Sequence, residues 1–276
     1  MRTASSKRPS AKAIPRQQRM LVTSRDVDVL TTVYRLPQID RHQLERLHFG
    51  ALARQPGRWA SSVIVRRLSL LSTHGYLLRR RVPVQAGSGA APYCYTLGSA
   101  AVPLAAERLD LSLDAVKHRQ EADARLSFML HGHRQLLADT FVALALGCHE
   151  SGYTLDWRTE QDVAARNDAV TVAGKPVPIR PDAACHLGNL PRGGGASFFV
   201  EIQVASDPAK YLAKCRAYLT YYASGRYQRS WGYRSLRVLA ISTSQARAEN
   251  LCAVIQESLT FGTPSDKACT ERRMTG

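Results

Sequence analysis

Two acidic residues in the C-terminal half of the chain have the types and spacing of a metal-dependent hydrolytic site. Asp182 ends a strand-like segment, and Glu201 lies 19 residues later inside an apolar one. On adjacent strands they would bring two carboxylates to one edge of a sheet, where they could hold Mg²⁺. A divalent ion there would activate water and neutralise charge on a scissile phosphate. Because a carboxylate in a buried strand needs a partner, an ion pair with Arg180 or Lys214 explains the same residues equally well.

Three further residues complete the candidate catalytic set: Gln203, Lys214 and Glu160. Gln203 follows Glu201 by two positions and can position water, but it brings no positive charge. Lys214 flanks the apolar stripe of the next helix and could stabilise developing negative charge in its place. Glu160 is a candidate third acid. Mg²⁺, held by Asp182 and Glu201, is the only cofactor that this set implies.

The charge of the chain is concentrated at one end. Of the 38 Lys and Arg and 22 Asp and Glu, residues 1–98 hold 17 and 4, so this part carries +13 of the formal net charge of +16. A charge that served solubility alone would be spread over both halves. The distribution is typical of a module that binds a polyanion beside a nearly neutral module. The expected partner is double-stranded DNA.

The candidate DNA contacts lie on one helix and on the strand that follows it. A helix over residues 59–73 would turn Ile64, Leu68 and Leu71 inward and leave a polar stripe that could face the major groove. Arg67, near the edge of the apolar face, is expected to reach the DNA backbone. The alternative is that the stripe is merely solvated. The candidates are Arg58, Trp59, Ser62, Arg66, Arg67 and Ser69 on the helix, with Arg79, Arg80 and Arg81 on the strand.

The elements that would position the DNA contacts occupy residues 21–98. Helical spacing predicts helices that begin near residues 24 and 40, followed by the helix at 59–73. Strand-like segments at 76–81 and 93–97 can pair across a Gly- and Pro-containing turn. Three helices followed by a two-stranded wing are the order of a winged helix-turn-helix domain. Residues 1–20, with six basic residues and no acid, are predicted to be a disordered arm.

The elements that would position the carboxylates occupy residues 118–261. We predict a connector over residues 99–117, a long helix at 118–149, and strands at 153–159, 169–173, 177–187 and 197–205. A helix at 208–222, a buried strand at 236–241 and a last helix to about 259 follow, before a disordered tail at 262–276. The fold class is therefore α+β with two domains, a winged helix-turn-helix domain and an αβββαβ core.

Composition excludes several classes of protein. With 45% hydrophobic residues the chain can bury a core. It lacks the run of about 18 apolar residues that a membrane helix needs and the apolar region of a secretory signal, so we expect a bacterial cytoplasmic protein, at the nucleoid or on a plasmid. A mitochondrial transit peptide is a minor alternative reading of the N-terminus. The six cysteines form no CxxC pair, and His131 and His133 are interpreted as polar helix positions rather than metal ligands.

The αβββαβ order with Arg180-Pro181-Asp182 and Glu201-Ile202-Gln203 resembles the PD-(D/E)XK nuclease superfamily, although Gln203 stands where the usual Lys would be. As a whole the chain is similar to the replication-relaxation family of bacterial plasmid and mobile-element proteins over about residues 21–222. That resemblance rests on segments throughout both halves: residues 23–30, 43–49, 66–68, 74–77 and 157–160, His133 with Asp139, residues 180–182 and 199–201, and Lys214 with Tyr218.

The resemblance implies DNA binding in plasmid replication or DNA relaxation, with a nuclease-like second domain that is degenerate at Gln203. Two alternatives stay open. One is an active Mg²⁺-dependent endonuclease or nickase that uses Asp182, Glu201 and Glu160. The other is a winged-helix transcription regulator whose second domain dimerises or docks a partner. A homodimer and replication or mobilisation proteins are the expected protein partners.

Overall fold

The computed structural model describes residues 20–50, 58–82, 93–190, 194–204 and 207–260. Within them it is a mixed α+β protein with ten α-helices and three small sheets. The first half contains α1 (Ser24–Arg35), β1 (Ile39–Asp40), α2 (Arg41–His48), α3 (Arg58–Thr73), β2 (Leu77–Arg81), β3 (Tyr93–Leu97), α4 (Val102–Leu109) and α5 (Leu113–Ala124). The second half contains α6 (His131–Ser151), β4 (Thr154–Thr159), α7 (Glu160–Ala164), β5 (Ala169–Val172), β6 (Lys175–Pro178), β7 (Ala183–Leu190), β8 (Gly194–Gln203), α8 (Pro208–Ala223), α9 (Arg226–Trp231), β9 (Arg237–Ser242) and α10 (Gln245–Thr260).

Local capping fixes where the first helices begin. Thr23 and Asp26 form a capping box at the start of α1, and Asp40 and Gln43 form another at the start of α2. The predicted starts of both helices are confirmed, as is the pairing of β2 with β3. The sequence pattern missed β1, a two-residue strand that pairs with the other side of β3 and makes a sheet of order β1-β3-β2.

The segment expected to be a connector, residues 99–117, is helical instead. Pro103 lies in the first turn of α4, where a missing N–H costs nothing. Asp110 ends α4 in the left-handed conformation, and the Ser112 side chain caps α5. Five apolar residues of this segment are buried in the same core as α1–α3: Ala101, Val102, Ala105, Ala106 and Val116.

The long helix predicted at 118–149 is broken between α5 and α6. The break frees the backbone carbonyls of Leu126 and Ser127, and three side chains bind them. Arg80 donates to the Leu126 oxygen at 2.7 Å, and Gln38 and Arg134 donate to the Ser127 oxygen at 3.2 and 3.0 Å. This junction joins the two halves of the molecule.

The second half is built on a four-stranded sheet of order β4-β7-β8-β9, in which only β8 and β9 run parallel. The strand predicted at 177–187 is two strands, because Pro178 and Pro181 cannot donate to a ladder and the chain leaves the sheet between them. The first piece, β6, forms a separate hairpin with β5. The strand predicted as buried at 236–241 is β9, which lies at the sheet edge and is largely exposed.

The two faces of the large sheet are covered by different helices. Leu136, Leu137 and Leu144 of α6 pack with Val200 and Ile202 on one face. On the other face, Phe199 is surrounded by aromatic rings from α8 and α9. The predicted helix at 208–222 is confirmed as α8, with Asp207 capping its first turn. The short helices α7 and α9 were not predicted.

Two of the predicted regions lie outside the described residues: all but residue 20 of the basic arm, and the whole C-terminal tail at 262–276. None of the helices in the described part of the chain is long and apolar enough to cross a bilayer.

Candidate functional site

The structure brings Asp182 and Glu201 to one end of the large sheet. Asp182 lies immediately before β7, and its backbone N–H donates to the Val200 oxygen on β8 at 3.0 Å. Glu201 is the next residue on β8, with its side chain on the same face as Phe199. The two carboxylates are close enough for the charge of Asp182 to act on Glu201.

Glu201 is fully buried, and side chains of α8 bind both of its carboxylate oxygens. Lys214 Nζ donates to Oε2 at 2.6 Å, and the Tyr218 hydroxyl donates to Oε1. Burial raises the pKa of Glu201, while the ammonium of Lys214 opposes that rise. Of the two ion pairs foreseen for Glu201, the one with Lys214 is formed, whereas Arg180 is exposed.

Asp182 is stabilised as an anion by two hydrogen bonds to the same oxygen. Oδ2 accepts from the backbone N–H of Ile202 at 2.7 Å and lies 3.2 Å from His133 Nε2. Burial alone would raise the pKa of Asp182, but these hydrogen bonds, with the nearby charges of His133 and Lys214, lower it. His133 was predicted to be only a polar helix position. Its distance in sequence from Asp182 hid the pairing, which only the packing of α6 against the sheet creates.

Glu160 and Gln203 take more peripheral places. Glu160 lies exposed at the start of α7 and lines, with Asp182 and His133, a cavity of about 210 Å³ between the sheet and the end of α1. Gln203 lies half-buried at the end of β8. In the described part of the chain, no three His, Cys, Asp or Glu side chains are grouped to hold a metal ion. Since both Glu201 oxygens are already bound, the acidic set does not fit Mg²⁺ as it stands.

The predicted DNA-reading helix exists as α3, and its two faces differ as expected. Ile64, Leu68 and Leu71 are fully buried. Ser62 and Arg66 are exposed, and Ser69 is half-buried beside them. The candidates Arg58 and Trp59 lie in the first turn of α3, but their side chains are outside the described residues.

Arg67 does not face outward, which corrects the expectation that it reaches the DNA backbone. Its guanidinium forms a two-pronged ion pair with the buried carboxylate of Asp26 on α1 and donates to the Leu21 oxygen at 2.8 Å. Burial would raise the pKa of Asp26, but the hydrogen bonds from Arg67 and Thr23 lower it. Arg67 therefore fastens α3 to α1.

The three arginines of β2 also divide, because side chains alternate along a strand. Arg79 and Arg81 are exposed, and each guanidinium carbon lies 4.9 Å from the ring centroid of Tyr93. Arg80 points the other way, over the ring of Phe128 and onto the Leu126 oxygen. Arg80 is thus part of the junction between the halves, which corrects its assignment as a DNA contact.

Fold and site together define a mixed α+β protein that presents an arginine-bearing helix and strand in one half and a carboxylate–lysine cluster in the other. The family model described as replication-relaxation matches residues 30–235, well over half of the 276 residues. The chain belongs to the replication-relaxation family, which confirms the resemblance inferred from its sequence. No curated protein and no solved structure matches it.

Proposed function

We propose that this protein binds duplex DNA through its N-terminal half, in the replication or relaxation of a plasmid or other mobile element. The order α1-β1-α2-α3-β2-β3, with all strands antiparallel, supports a winged helix-turn-helix domain. In such a domain the third helix enters the major groove and the strand pair contacts the adjacent backbone.

The observation that carries the proposal is that the exposed arginines of α3 and β2 form one surface. Arg79 Nη1 lies 3.5 Å from the Ser69 hydroxyl, so the strand is adjacent to the outer face of the helix. Arg66 lies on that face, and Arg81 follows Arg79 along the strand, held over the same Tyr93 ring. Guanidinium groups on neighbouring parts of one surface can replace the counterions of several phosphates.

We further infer that the C-terminal half is a nuclease-like domain that does not cleave DNA. The order α6-β4-β7-β8-α8-β9 agrees with an αβββαβ core into which α7, the β5–β6 hairpin and α9 are inserted. Lys214 and Tyr218 hold both oxygens of Glu201, so a metal ion would have to displace an ion pair. Gln203 adds no charge to stabilise a pentacovalent phosphate.

Duplex binding is tested on the full chain by titrating a labelled DNA fragment at several salt concentrations. Replacing Arg66, Arg79 and Arg81 together by Ala should weaken binding and reduce the slope of log affinity against log salt by about two to three. The matched control removes the same charge from exposed residues elsewhere, by Ala at Arg125, Lys175 and Arg216. Equal losses in the two triple variants would show that binding follows net charge rather than this surface.

An active endonuclease is the second candidate, favoured by the meeting of Asp182, Glu201 and Lys214 at one end of the sheet. Incubation of supercoiled plasmid with the protein and Mg²⁺ separates the two. We expect no nicking by the unaltered chain, and Gln203→Lys tests whether the missing charge is what prevents it. Nicking by the unaltered protein that disappears in Asp182→Ala would establish the second candidate.

A further inference from the structure

A second basic surface lies on the large sheet, away from the α3 and β2 arginines. It is a trough of two adjoining cavities, about 160 and 380 Å³. Three residues, His186, Ser197 and Tyr233, line both cavities, so they form the partition between them. We define the trough by these three residues with Arg158, Arg166, Trp231 and Arg234.

The trough contains both flat π faces and guanidinium groups. The rings of His186 and Tyr233 are stacked, with centroids 4.0 Å apart and planes within 4° of parallel. The Ser197 hydroxyl lies 2.9 Å from His186 Nδ1 and fixes the orientation of that ring. Arg166 lies over Trp231, 4.3 Å from the ring centroid, and is held there by Ser230.

The wider cavity is bordered in part by backbone without side chains. Four glycines line it: Gly188, Gly194, Gly195 and Gly232. At Gly195 a side chain is excluded by the trough itself, because a Cβ there would lie 2.6 Å from the His186 ring. Gly195 therefore makes room for the His186 ring. At Gly194 and Gly232 nothing lies within 4 Å of where a Cβ would be, so a bound chain can approach the protein backbone closely at these two positions.

The charge around the trough is positive. Residues 226–237 contain four arginines and three aromatic residues without a single acid, although the C-terminal half as a whole is nearly neutral. The two carboxylates nearby pair with Arg158 and Arg166, so the excess positive charge comes from Arg234 and the other arginines of residues 226–237. Asp156 binds Arg158 at 3.0 Å, and Asp168 accepts from Ser230 and Tyr221 and lies 3.8 Å from Arg166.

We propose that this trough binds an unpaired segment of single-stranded DNA. The proposal rests on the proposed function for the identity of the nucleic acid, and adds a second site with a different preference. Aromatic faces in a basic groove recognise unpaired bases, whereas the faces of duplex bases are covered by their neighbours. A protein with one surface for duplex and another for single strand would hold DNA at a place where the strands separate.

The test uses the full chain and two labelled probes: a thymidine oligonucleotide longer than a ~4–16-nucleotide single-strand site, and a duplex of equal length. Tyr233→Leu removes the stacking face while keeping an apolar side chain, and Tyr233→Phe restores it. Tyr233→Leu should weaken single-strand binding about tenfold and leave duplex binding unchanged. Arg234→Ala should weaken it as well, whereas the matched control Arg216→Ala, on the outside of α8, should not.

A base analogue reports the contact directly. The fluorescence of 2-aminopurine in the oligonucleotide should be quenched on binding to the unaltered protein and to Tyr233→Phe, and should recover in Tyr233→Leu. Thermal unfolding of each variant verifies that it is folded.

Three outcomes would overturn the proposal. The first is single-strand affinity that is unchanged in both Tyr233→Leu and Arg234→Ala. The second is loss of single-strand binding in the Arg66, Arg79 and Arg81 triple variant, which would assign both ligands to the N-terminal half. The third is tighter binding of the matching oligoribonucleotide, which would make the ligand RNA. If the triple variant left duplex binding unchanged while single-strand binding still depended on Tyr233, only the proposed function would be contradicted.

Discussion

Arg66 and Arg67 are neighbours in sequence, but their side chains lie in different environments. Arg67 compensates the buried charge of Asp26, whereas Arg66 is exposed on the outer face of α3. Replacing Arg67 by Ala leaves Asp26 with only the hydrogen bonds of Thr23. We expect Arg67→Ala to lower the free energy of unfolding by about 2–4 kcal/mol, because it strands one partner of a largely buried pair.

Urea unfolding measures this difference, and Arg66→Ala is the control that should leave stability nearly unchanged. The pKa of Asp26 is lowered in the folded protein, so the pair contributes above the ordinary value of 3.8 and is lost as the pH falls through the folded value. If Arg67→Ala left the free energy of unfolding unchanged but weakened DNA binding, Arg67 would instead be assigned to the DNA-binding surface.

The two carboxylates at the end of the sheet should respond to pH in opposite directions. Asp182 has a lowered pKa, so its charge stabilises the fold above its ordinary value of 3.8 and that contribution is lost on acidification. Glu201 has a raised pKa, so its ionisation opposes folding as the pH rises through the folded value. Asp182→Asn should therefore lower stability by ~1–2 kcal/mol at pH 7 and converge on the unaltered protein in acid.

Glu201→Gln keeps the shape of the side chain and removes the buried charge. Its stability at pH 7 should lie within ~1 kcal/mol of the unaltered protein, because the cost of burying Glu201 offsets its pairing with Lys214. Its stability relative to the unaltered protein should fall as the pH is lowered. Unfolding free energies measured from neutral to acidic pH give both trends, and parallel curves for the two variants would contradict the assigned shifts.

At the scale of elements, the sequence predicts best where one local signal determines the outcome. The helix starts predicted near residues 24, 40 and 208 are confirmed, and each coincides with a local cap: a capping box at α1 and at α2, and Asp207 with a first-turn proline at α8. The errors arise where tertiary contacts decide. The carbonyls exposed by the break between α5 and α6 are bound by residues far away in sequence, among them Gln38 and Arg80. A single-sequence pattern cannot detect such partners.

The candidate site divides in the same way. Strand spacing brought Asp182 and Glu201 together, and a helical stripe predicted that Lys214 could face them. The pairing of His133 with Asp182 depends on how α6 lies across the sheet, and the inward turn of Arg67 depends on a buried acid on α1. Both contacts arise from packing between elements, and the periodicity of residues within one element cannot predict them.

The α3 and β2 elements should affect DNA binding differently. In the proposed winged-helix binding mode the exposed Arg66 would reach the edge of a base, so Arg66→Ala should cost ~1–3 kcal/mol on a preferred sequence and reduce the preference itself. Arg79→Ala and Arg81→Ala should weaken all sequences alike, since phosphate contacts carry no sequence information. Competition between a selected site and random duplex measures the ratio. If all three variants lost the same affinity on every sequence, α3 would contact only the DNA backbone and would not recognise bases.

On the scale of the whole molecule, the two halves are not independent. Gln43 of α2 donates to the side chain of Asp139 at 2.9 Å, and Gln135 donates to the Gln38 oxygen at 2.6 Å, so two positions one turn apart fasten α6 to the first half. Ala138 of α6 belongs to the core of α1–α3. The same helix carries His133, so α6 contacts both the core of the first half and the carboxylate site.

The apolar residues that α4 and α5 bury in the first core determine which N-terminal fragments can fold. A fragment of residues 1–98 lacks Val102 and Val116, and burial of two such side chains stabilises by about 3–6 kcal/mol. That is a large part of the ~5–15 kcal/mol by which small proteins are stable. Residues 1–98 should therefore unfold at low temperature and bind duplex DNA poorly, although they hold the candidate contacts. A fragment of residues 1–128 regains α4, α5 and the Phe128 ring that receives Arg80. The 1–128 fragment should melt cooperatively and bind duplex DNA, as measured by circular dichroism and by titration of the same duplex.

Equal melting temperatures for the 1–98 and 1–128 fragments would mean that α4 and α5 are dispensable to this core.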